Sequence, residues 1–517
     1  MCMQNLLEMK GITKVYPNGV LANDKVDFSV QKGEIHALVG ENGAGKTTLM
    51  KVLFGLESPD AGEVYYKGNR IQINSPLQAI SSGIGMVHQH FMLAPSLTVT
   101  ENLVLGVEPK RGLAFDWNTA IKTVEDLAQR YNLHVDPRAR VRDIPIGMRQ
   151  KVEILKALLR GAELLVLDEP TAVLTPQETE ELFEALGELK KQGHTMIFIS
   201  HKLNEIRQIT DRVTVMRGGR LIGVRKTSEV TEADISRLMV GRDVILKISK
   251  TPPQPGKKIL EVKDLGYFTS EGKPILKNVS FNVRAGEILG IAGVEGNGQS
   301  ELVEILTGLR NPHAGTISVS GKEMTSTHPR QMRDLGLAHI PEDRLIHGVA
   351  ADASIEENLV ADRIQKPAYT GKIFLRSKAI AKSGEDLVGE FNVVTRSAKT
   401  PVKMLSGGNI QKVVVAREFS SNPSLVIANQ PTRGVDVGAI EFIHKKLVEI
   451  CRSGAAVLLI SADLNEVMSV SDRLLVVYGG QIVAAFPDAS VVSEEELGLH
   501  MLGIKTQEAE LLKEALA

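Results

Sequence analysis

The most constraining feature of the chain is the stretch at residues 40–48, which reads Gly-Glu-Asn-Gly-Ala-Gly-Lys-Thr-Thr. The apolar run before it, residues 35–39, predicts a buried strand, and residues 49–56 after it predict a helix. Glycines let backbone N–H groups converge on phosphate oxygens, and a helix N-terminus adds unpaired donors and a positive dipole end. A plain glycine-rich turn is the simpler alternative, but the flanking strand and helix favour a phosphate-binding loop.

This loop predicts a nucleotide site, in which Lys46 would contact the β- and γ-phosphates and the Thr47 hydroxyl would bind Mg²⁺. The whole loop is expected to surround the phosphates. Its residues are Gly40, Glu41, Asn42, Gly43, Ala44, Gly45, Lys46, Thr47 and Thr48.

Composition limits the other classes of function. A net charge of −1 over 517 residues gives no basic excess for nucleic acid, so no nucleic-acid partner is expected. Two cysteines, Cys2 and Cys451, provide neither a metal framework nor a disulfide scaffold. No apolar run approaches the roughly 18 residues that a membrane-spanning helix needs. Any membrane role is therefore expected to come through a partner.

The chain contains an internal repeat. The glycine pattern of residues 40–45 recurs at 293–298, an offset of 253, whereas Pro170 matches Pro431 at an offset of 261. The eight extra residues are therefore expected in the variable middle of the second half. Residues 251–256, Thr-Pro-Pro-Gln-Pro-Gly, predict the boundary. We predict a first domain over 6–241, a linker over 242–258, a second domain over 259–503 and a tail over 504–517.

Each half alternates short apolar runs with helix-period segments, which predicts a largely parallel α/β sheet. In the first half, strands are expected at residues 164–167, 196–199 and 213–216. The region 90–143 is expected to form a mostly helical insert.

Further polar residues of the first half are placed to act on a nucleotide. Asp168 ends a predicted strand and could hold Mg²⁺, and Glu169 could be the general base. His201 also follows a strand, where it could bond the γ-phosphate or be an ordinary strand-end residue. Gln89 could sense Mg²⁺ and the attacking water. Tyr16 could stack on a base or be a packed surface tyrosine.

The order of these motifs resembles an ABC transporter ATP-binding protein, and the resemblance covers about residues 6–241 and 259–503. Residues 405–411, Leu-Ser-Gly-Gly-Asn-Ile-Gln, are similar to the signature of that family. The resemblance implies two tandem P-loop NTPase domains, each with a mainly parallel RecA-like core, an antiparallel β part and a helical insert. It also implies that each ATP lies between the loop of one cassette and the signature of the other.

The two halves differ at the positions that carry chemistry. The second half has Gln299 for Lys46, Asn429-Gln430 for Asp168-Glu169, Ala462 for His201 and Glu342 for Gln89. The first half has Pro145 where the second has Ser406. We therefore expect one competent site and one weak or regulatory site. The competent site would combine Lys46, Thr47, Gln89, Asp168, Glu169 and His201 with Ser406, Gly407, Gly408 and Asp436.

Within the family, residues 169–176 and 431–438 resemble the sugar-importer class of ribose and galactose systems. The pair Asn429-Gln430 and residues 438–444 look more like its nucleoside-uptake branch. The resemblance implies two permease subunits, an extracytoplasmic solute-binding protein and a peripheral location at the cytoplasmic face of the membrane. A tandem ABC ATPase acting on ribosomes, expected to be symmetric, and a non-hydrolysing scaffold are the rival interpretations. A DNA-repair ATPase would need zinc-binding cysteine pairs that the chain lacks.

Overall fold

A computed structural model describes residues 5–17, 19–88, 91–112, 114–171, 174–200, 202–241, 250, 253–269, 271–294, 296–508 and 512. Two predicted site residues, Gln89 and His201, lie outside these ranges. The chain divides into two compact units, residues 1–244 and 245–517. Within the described ranges, no helix combines the length and apolar character that crossing a bilayer requires.

The first unit contains twelve strands and eight α-helices among its described residues. The strands are β1 (Asn5–Val15), β2 (Leu21–Gln31), β3 (Ile35–Gly40), β4 (Ala61–Tyr66), β5 (Asn69–Ile71), β6 (Ile84–Val87), β7 (Lys110–Arg111), β8 (Ala114–Phe115), β9 (Leu164–Asp168), β10 (Thr195–Ile199), β11 (Arg212–Arg217) and β12 (Arg220–Lys226). The helices are α1 (Lys46–Leu53), α2 (Pro76–Ser81), α3 (Val99–Val104), α4 (Trp117–Arg130), α5 (Ile146–Leu159), α6 (Pro176–Lys191), α7 (Leu203–Ile209) and α8 (Glu232–Val240).

The strands of this unit form a six-stranded sheet in the order β12-β11-β3-β10-β9-β6 and a four-stranded sheet in the order β2-β1-β4-β5. In the larger sheet every neighbouring pair is parallel except the edge pair of β11 and β12. The smaller sheet is antiparallel. Strands β3, β9 and β10 are almost wholly buried, which explains their continuous apolar runs. The predicted α/β class is confirmed.

The second unit repeats this architecture, with ten strands and eight α-helices in the part of it that the structure describes. The strands are β13 (Lys258–Phe268), β14 (Pro274–Arg284), β15 (Ile288–Ala292), β16 (Ala314–Val319), β17 (Lys322–Glu323), β18 (Leu337–Ile340), β19 (Leu425–Asn429), β20 (Ala456–Ser461), β21 (Arg473–Tyr478) and β22 (Gln481–Phe486). The helices are α9 (Gln299–Leu306), α10 (Pro329–Asp334), α11 (Ile355–Val360), α12 (Ser377–Glu390), α13 (Gly407–Phe419), α14 (Val437–Arg452), α15 (Leu464–Val470) and α16 (Glu494–Met501).

The six-stranded order of the second unit, β18-β19-β20-β15-β21-β22, is equivalent to that of the first read from the other edge. The eight extra residues lie between β18 and α13, as the changing offset predicts. Three precede α11, where a π-helix spans Arg344–Gly348, four lie between α11 and α12, and one lies between α12 and α13.

Two local predictions need correction. Helix α1 begins at Lys46 and ends at Leu53, three residues earlier at each end than predicted, because Gly55 turns the chain with a φ of 73°. The insert in the first unit contains helices α3 and α4 but is not mostly helical. The short hairpin of β7 and β8 separates these helices, and a single turn at Val141–Asp143 precedes α5.

Candidate nucleotide-binding sites

The phosphate-binding loop of the first unit connects β3 to α1, as predicted. Its backbone requires glycine at two positions. A Cβ on Gly40 would lie 2.3 Å from the Met216 carbonyl oxygen, and one on Gly45, where φ is 97°, would lie 2.3 Å from the Ala22 carbonyl oxygen. The packing of the loop against β2 and β11 therefore leaves no room for a side chain at Gly40 or Gly45.

Lys46 is the buried cation of this loop, with only 9% of its surface exposed. Its Nζ donates to the carbonyl oxygens of Gly40 at 2.6 Å and Glu41 at 3.1 Å. These bonds hold the ammonium group over the loop that leads into α1. The backbone carbonyl groups of the loop therefore position this charge.

Tyr16 follows β1 and is half-buried beside the loop. Its hydroxyl lies 3.3 Å from the Thr48 hydroxyl at the start of α1. Sequence reasoning left stacking and simple packing as alternatives. The structure brings Tyr16 next to the predicted phosphate site.

The carboxylates Asp168 and Glu169 lie at the same edge of the sheet as the phosphate-binding loop. This is because β10 lies between β3 and β9, and all three strands run parallel. Burial, with a further contribution from the neighbouring Glu169, raises the pKa of Asp168 to about 6, although Lys46 opposes the shift. The side chain is a desolvated oxygen donor without full charge compensation. Such a group is suited to a hard cation such as Mg²⁺.

A carboxylate that the sequence analysis did not identify organises the loops around this edge. Glu205, which is 4% exposed, accepts from the Thr171 hydroxyl at 2.6 Å and from the Ser200 hydroxyl at 3.0 Å. Lys202 Nζ lies 3.2 Å from the other oxygen of Glu205. These bonds connect two segments. The segment after β9 begins with Glu169, and the segment after β10 contains Ser200 and Lys202, the sequence neighbours of His201. The partners are up to 34 residues apart, so no local pattern indicates them.

The equivalent loop of the second unit is closed by its own amides. Gln299, in the place of Lys46, donates through Nε2 to the Val294 carbonyl oxygen at 3.1 Å and accepts from the Asn297 N–H at 3.1 Å. Asn297 Nδ2 donates to the same carbonyl oxygen at 3.0 Å. A neutral side chain therefore takes the position of the first unit's cation.

The signature of the second unit forms the start of α13. Ser406 is exposed and is the N-cap residue, and its hydroxyl accepts from Asn409 Nδ2 at 2.9 Å. A Cβ on Gly408 would lie 2.6 Å from the Asp436 carboxylate, so Asp436 and the signature pack directly together. In the first unit α5 begins after Pro145, which makes no side-chain cap bond. A helix begins at this position in both units, and only the second unit has a hydroxyl at its N-cap.

Arg344 supports this signature and was missed in the sequence analysis. Its guanidinium donates to the carbonyl oxygens of Arg433 at 2.7 Å and Gly434 at 3.0 Å. A Cβ on Gly407 would lie 2.7 Å from the same guanidinium. Arg344 thus fixes the distance between the signature and the turn before Asp436. The sequence offered one signal for Arg344, which is that it lies two residues after Glu342, the counterpart of the predicted site residue Gln89.

Comparison with known proteins decides what these sites belong to. The ABC transporter family matches residues 23–172 and 276–433, which includes both phosphate-binding loops and both strand-end pairs.

The chain belongs to the ABC transporter family.

Three relatives of this ABC transporter protein are similar to it along nearly their whole length. The guanosine import ATP-binding protein NupO of Bacillus subtilis is 46% identical, over 98% of this chain and 99% of its own. The nucleoside import ATP-binding protein NupA of Lactococcus lactis is 45% identical, over 97% and 99%. The glucose import ATP-binding protein TsgD13 of Haloferax volcanii is 43% identical, over 97% and 96%.

One solved structure covers most of this ABC transporter chain. It contains the archaeal ribosome recycling factor aABCE1 in complex with the ribosomal stalk protein aP1, with a TM-score of 0.59 over 92% of this chain and 90% of that one. At 18% identity, this likeness shows the shared tandem fold alone. The family membership makes the chain an ATP-binding ATPase of a transporter.

Proposed function

We propose that this ATPase powers the import of a nucleoside. The observation that carries the proposal is the identity of 46% and 45% to guanosine and nucleoside import ATP-binding proteins over almost the full chain. The pair Asn429-Gln430 supports the same branch. The 43% identity to a glucose import protein makes sugar import the second candidate. A function on ribosomes is not favoured, because all three relatives are import proteins.

The first unit would carry the chemistry. Lys46 would bind the β- and γ-phosphates, and Glu169 would accept a proton from the attacking water as general base. Thr47 and Asp168 would hold Mg²⁺, which neutralises phosphate charge when bound; the burial of Asp168 supports this role. Gln89 and His201 are proposed to contact the water and the γ-phosphate. The position of Tyr16 beside Thr48 supports a contact with the base.

The signature of the second unit would complete this site. Ser406, Gly407 and Gly408 would present a hydroxyl and helix N-terminal N–H groups to the γ-phosphate, with Asp436 beside them. The exposure of Ser406 and the contact between Gly408 and Asp436 support this role. The other predicted site would combine the loop of the second unit with the signature of the first. Because Gln299 is neutral and Pro145 has no hydroxyl, that site would not catalyse hydrolysis. Cassette closure would then drive transport.

The expected partners are two membrane permease subunits, reached from the cytoplasmic face, with an extracytoplasmic solute-binding protein acting indirectly. The chain itself would be peripheral to the membrane.

Uptake by cells with and without this gene tests the proposal. Labelled nucleosides and labelled pentoses are supplied separately, each with the other class as unlabelled competitor. Loss of nucleoside uptake alone supports the proposal. Loss of sugar uptake alone replaces the nucleoside proposal with sugar import. If neither uptake is lost, the protein imports neither class, and both candidates are wrong. A strain carrying Glu169→Gln controls for effects of the absent protein other than hydrolysis.

A further inference from the structure

The second unit carries an exposed hairpin whose composition differs from the rest of the chain. Residues 366–382 contain five cations and no carboxylate, although the whole chain has a net charge of −1. The cations are Lys366, Lys372, Arg376, Lys378 and Lys382. All five are exposed, and none forms an ion pair with the described part of the chain. We call residues 366–382 the cationic hairpin.

Three consecutive apolar residues lie at the tip of the cationic hairpin. Ile373 is 84% exposed, Phe374 is 80% exposed and Leu375 is 53% exposed. The first two are the most exposed large apolar side chains among the described residues. An isolated apolar side chain on a surface needs no explanation, but a contiguous run of this kind marks an interaction site.

Hydrogen bonds hold the tip in place. The Gly371 N–H donates to the Phe374 carbonyl oxygen at 2.8 Å, and the Arg376 N–H donates to the Tyr369 carbonyl oxygen at 2.7 Å. The Tyr369 hydroxyl lies 3.1 Å from the Ser383 hydroxyl, which ties the part of the hairpin before α12 to that helix. The apolar residues are therefore presented on a formed turn and need little ordering before they bind.

The first unit provides an internal comparison. Its connection between α3 and α4, residues 105–116, has two cations and two carboxylates. The equivalent connection between α11 and α12, residues 361–376, is four residues longer and has four cations and one carboxylate. The acidic members are Glu108 and Asp116. The fold thus does not require the cationic composition, which belongs to the second unit alone.

We propose that the cationic hairpin binds the anionic lipid surface of the membrane. Cations beside apolar side chains match a surface with phosphate headgroups above hydrocarbon, where Ile373 and Phe374 would lie among the acyl chains. Each cation near an anionic surface contributes about fivefold to partitioning. A folded acidic protein would match the charges, but it would have to supply an apolar cleft as well.

Sedimentation of the purified full chain with vesicles tests this proposal. Vesicles of phosphatidylcholine alone are compared with vesicles rich in phosphatidylglycerol, at low and high salt. We expect binding to the anionic vesicles only, weakened by salt. Lys372→Gln/Arg376→Gln/Lys378→Gln should reduce binding by about 100-fold. Ile373→Ser/Phe374→Ser should also reduce it. ATPase activity should be unchanged in both variants, which shows that they fold.

Two matched controls use exposed residues of the same unit. Lys273→Gln/Lys277→Gln/Lys322→Gln removes the same charge from the antiparallel sheet, and Val491→Ser/Ile504→Ser removes the same kind of apolar surface. Both should bind vesicles as the wild type does. Absence of anionic-vesicle binding in the wild type, or equal losses in hairpin and control variants, would overturn the proposal. Retained vesicle binding with lost permease co-purification in the hairpin variants would instead assign the hairpin to a protein partner.

Discussion

Glu169 and Gln430 share one unusual backbone conformation, with φ values of 49° and 51°. The Glu169 N–H donates to the Ile199 carbonyl oxygen at 2.9 Å, and the Gln430 N–H donates to the Ile460 carbonyl oxygen at 2.7 Å. Positive φ is uncommon outside glycine. The two units therefore share the backbone geometry that follows β9 and β19, although one has a carboxylate there and the other an amide.

The first prediction concerns this pair. Glu169→Gln should lower ATP turnover by about 10²–10⁴-fold because the amide cannot accept the proton of the attacking water. ATP binding, measured by equilibrium dialysis, should persist because Lys46 and the loop are unchanged. Gln430→Glu is the matched control and should change turnover little. Substantial residual ATPase in Glu169→Gln would refute the assignment of the general base.

The second prediction concerns the two helix starts. Ser406→Ala should lower turnover by about 10²-fold, as expected when one donor to a developing phosphate charge is removed. The matched control is Pro145→Ser, which adds the hydroxyl to the first unit and should leave turnover near the wild-type rate. Steady-state ATPase assays measure both. Equal turnover in wild type and Ser406→Ala would exclude the hydroxyl from the site.

A third prediction concerns the buried carboxylate Glu205. Glu205→Ala removes the acceptor of two buried hydroxyl groups and the carboxylate beside Lys202, so we expect a loss of about 2–4 kcal/mol in unfolding free energy. Turnover should also fall, because the segments after β9 and β10 lose their connection.

Glu466 is the matched residue of the second unit, where it accepts from the Thr432 hydroxyl and lies 2.9 Å from His444 Nε2. Glu466→Ala should destabilise its unit to a similar degree but spare most of the turnover. Denaturant unfolding and ATPase assays separate the two effects. If both variants kept wild-type turnover, Glu205 would be a structural residue only.

The fourth prediction concerns pH. Burial is the main cause that lowers the pKa of His339 to about 4; Glu418 opposes the shift, and nearby Arg333, Arg417 and His347 contribute to it. An unfolded histidine titrates near 6.5, so between about pH 6.5 and pH 4 the unfolded chain binds more protons than the folded one. His339 therefore lowers stability as the pH falls through this window.

His339→Met should remove this contribution. As the pH is lowered from 7 to 4, the unfolding free energy of this variant should rise by about 3 kcal/mol relative to that of the wild type. Denaturant unfolding measures the difference. The exposed His134 provides the control, since His134→Asn should leave the wild-type pH dependence unchanged. Parallel curves for His339→Met and wild type would contradict the prediction.

The repeat, the loops and the strand ends were predictable because their signals are local. Glycine spacing at 40–45 and 293–298 and apolar runs before Asp168 and Asn429 depend only on neighbouring residues. The family membership and the α/β architecture follow from them and are confirmed. The roles of the individual site residues, by contrast, stay predictions.

The hydrogen bonds of Arg344 and Glu205 were not predictable, since they join residues far apart in the chain. Arg344 contacts carbonyl groups some 90 residues away, and Glu205 contacts Thr171 across 34 residues. The β7–β8 hairpin was also missed. Its strands of two residues are too short for the alternation that indicates a strand.

The shared bond between a threonine and a buried glutamate, Thr171 with Glu205 and Thr432 with Glu466, has a consequence for protein engineering. The second unit keeps this bond although it has Asn429-Gln430 in place of Asp168-Glu169. A designer who installs in the second unit the side chains predicted to act in the first would therefore build on a frame that is already present.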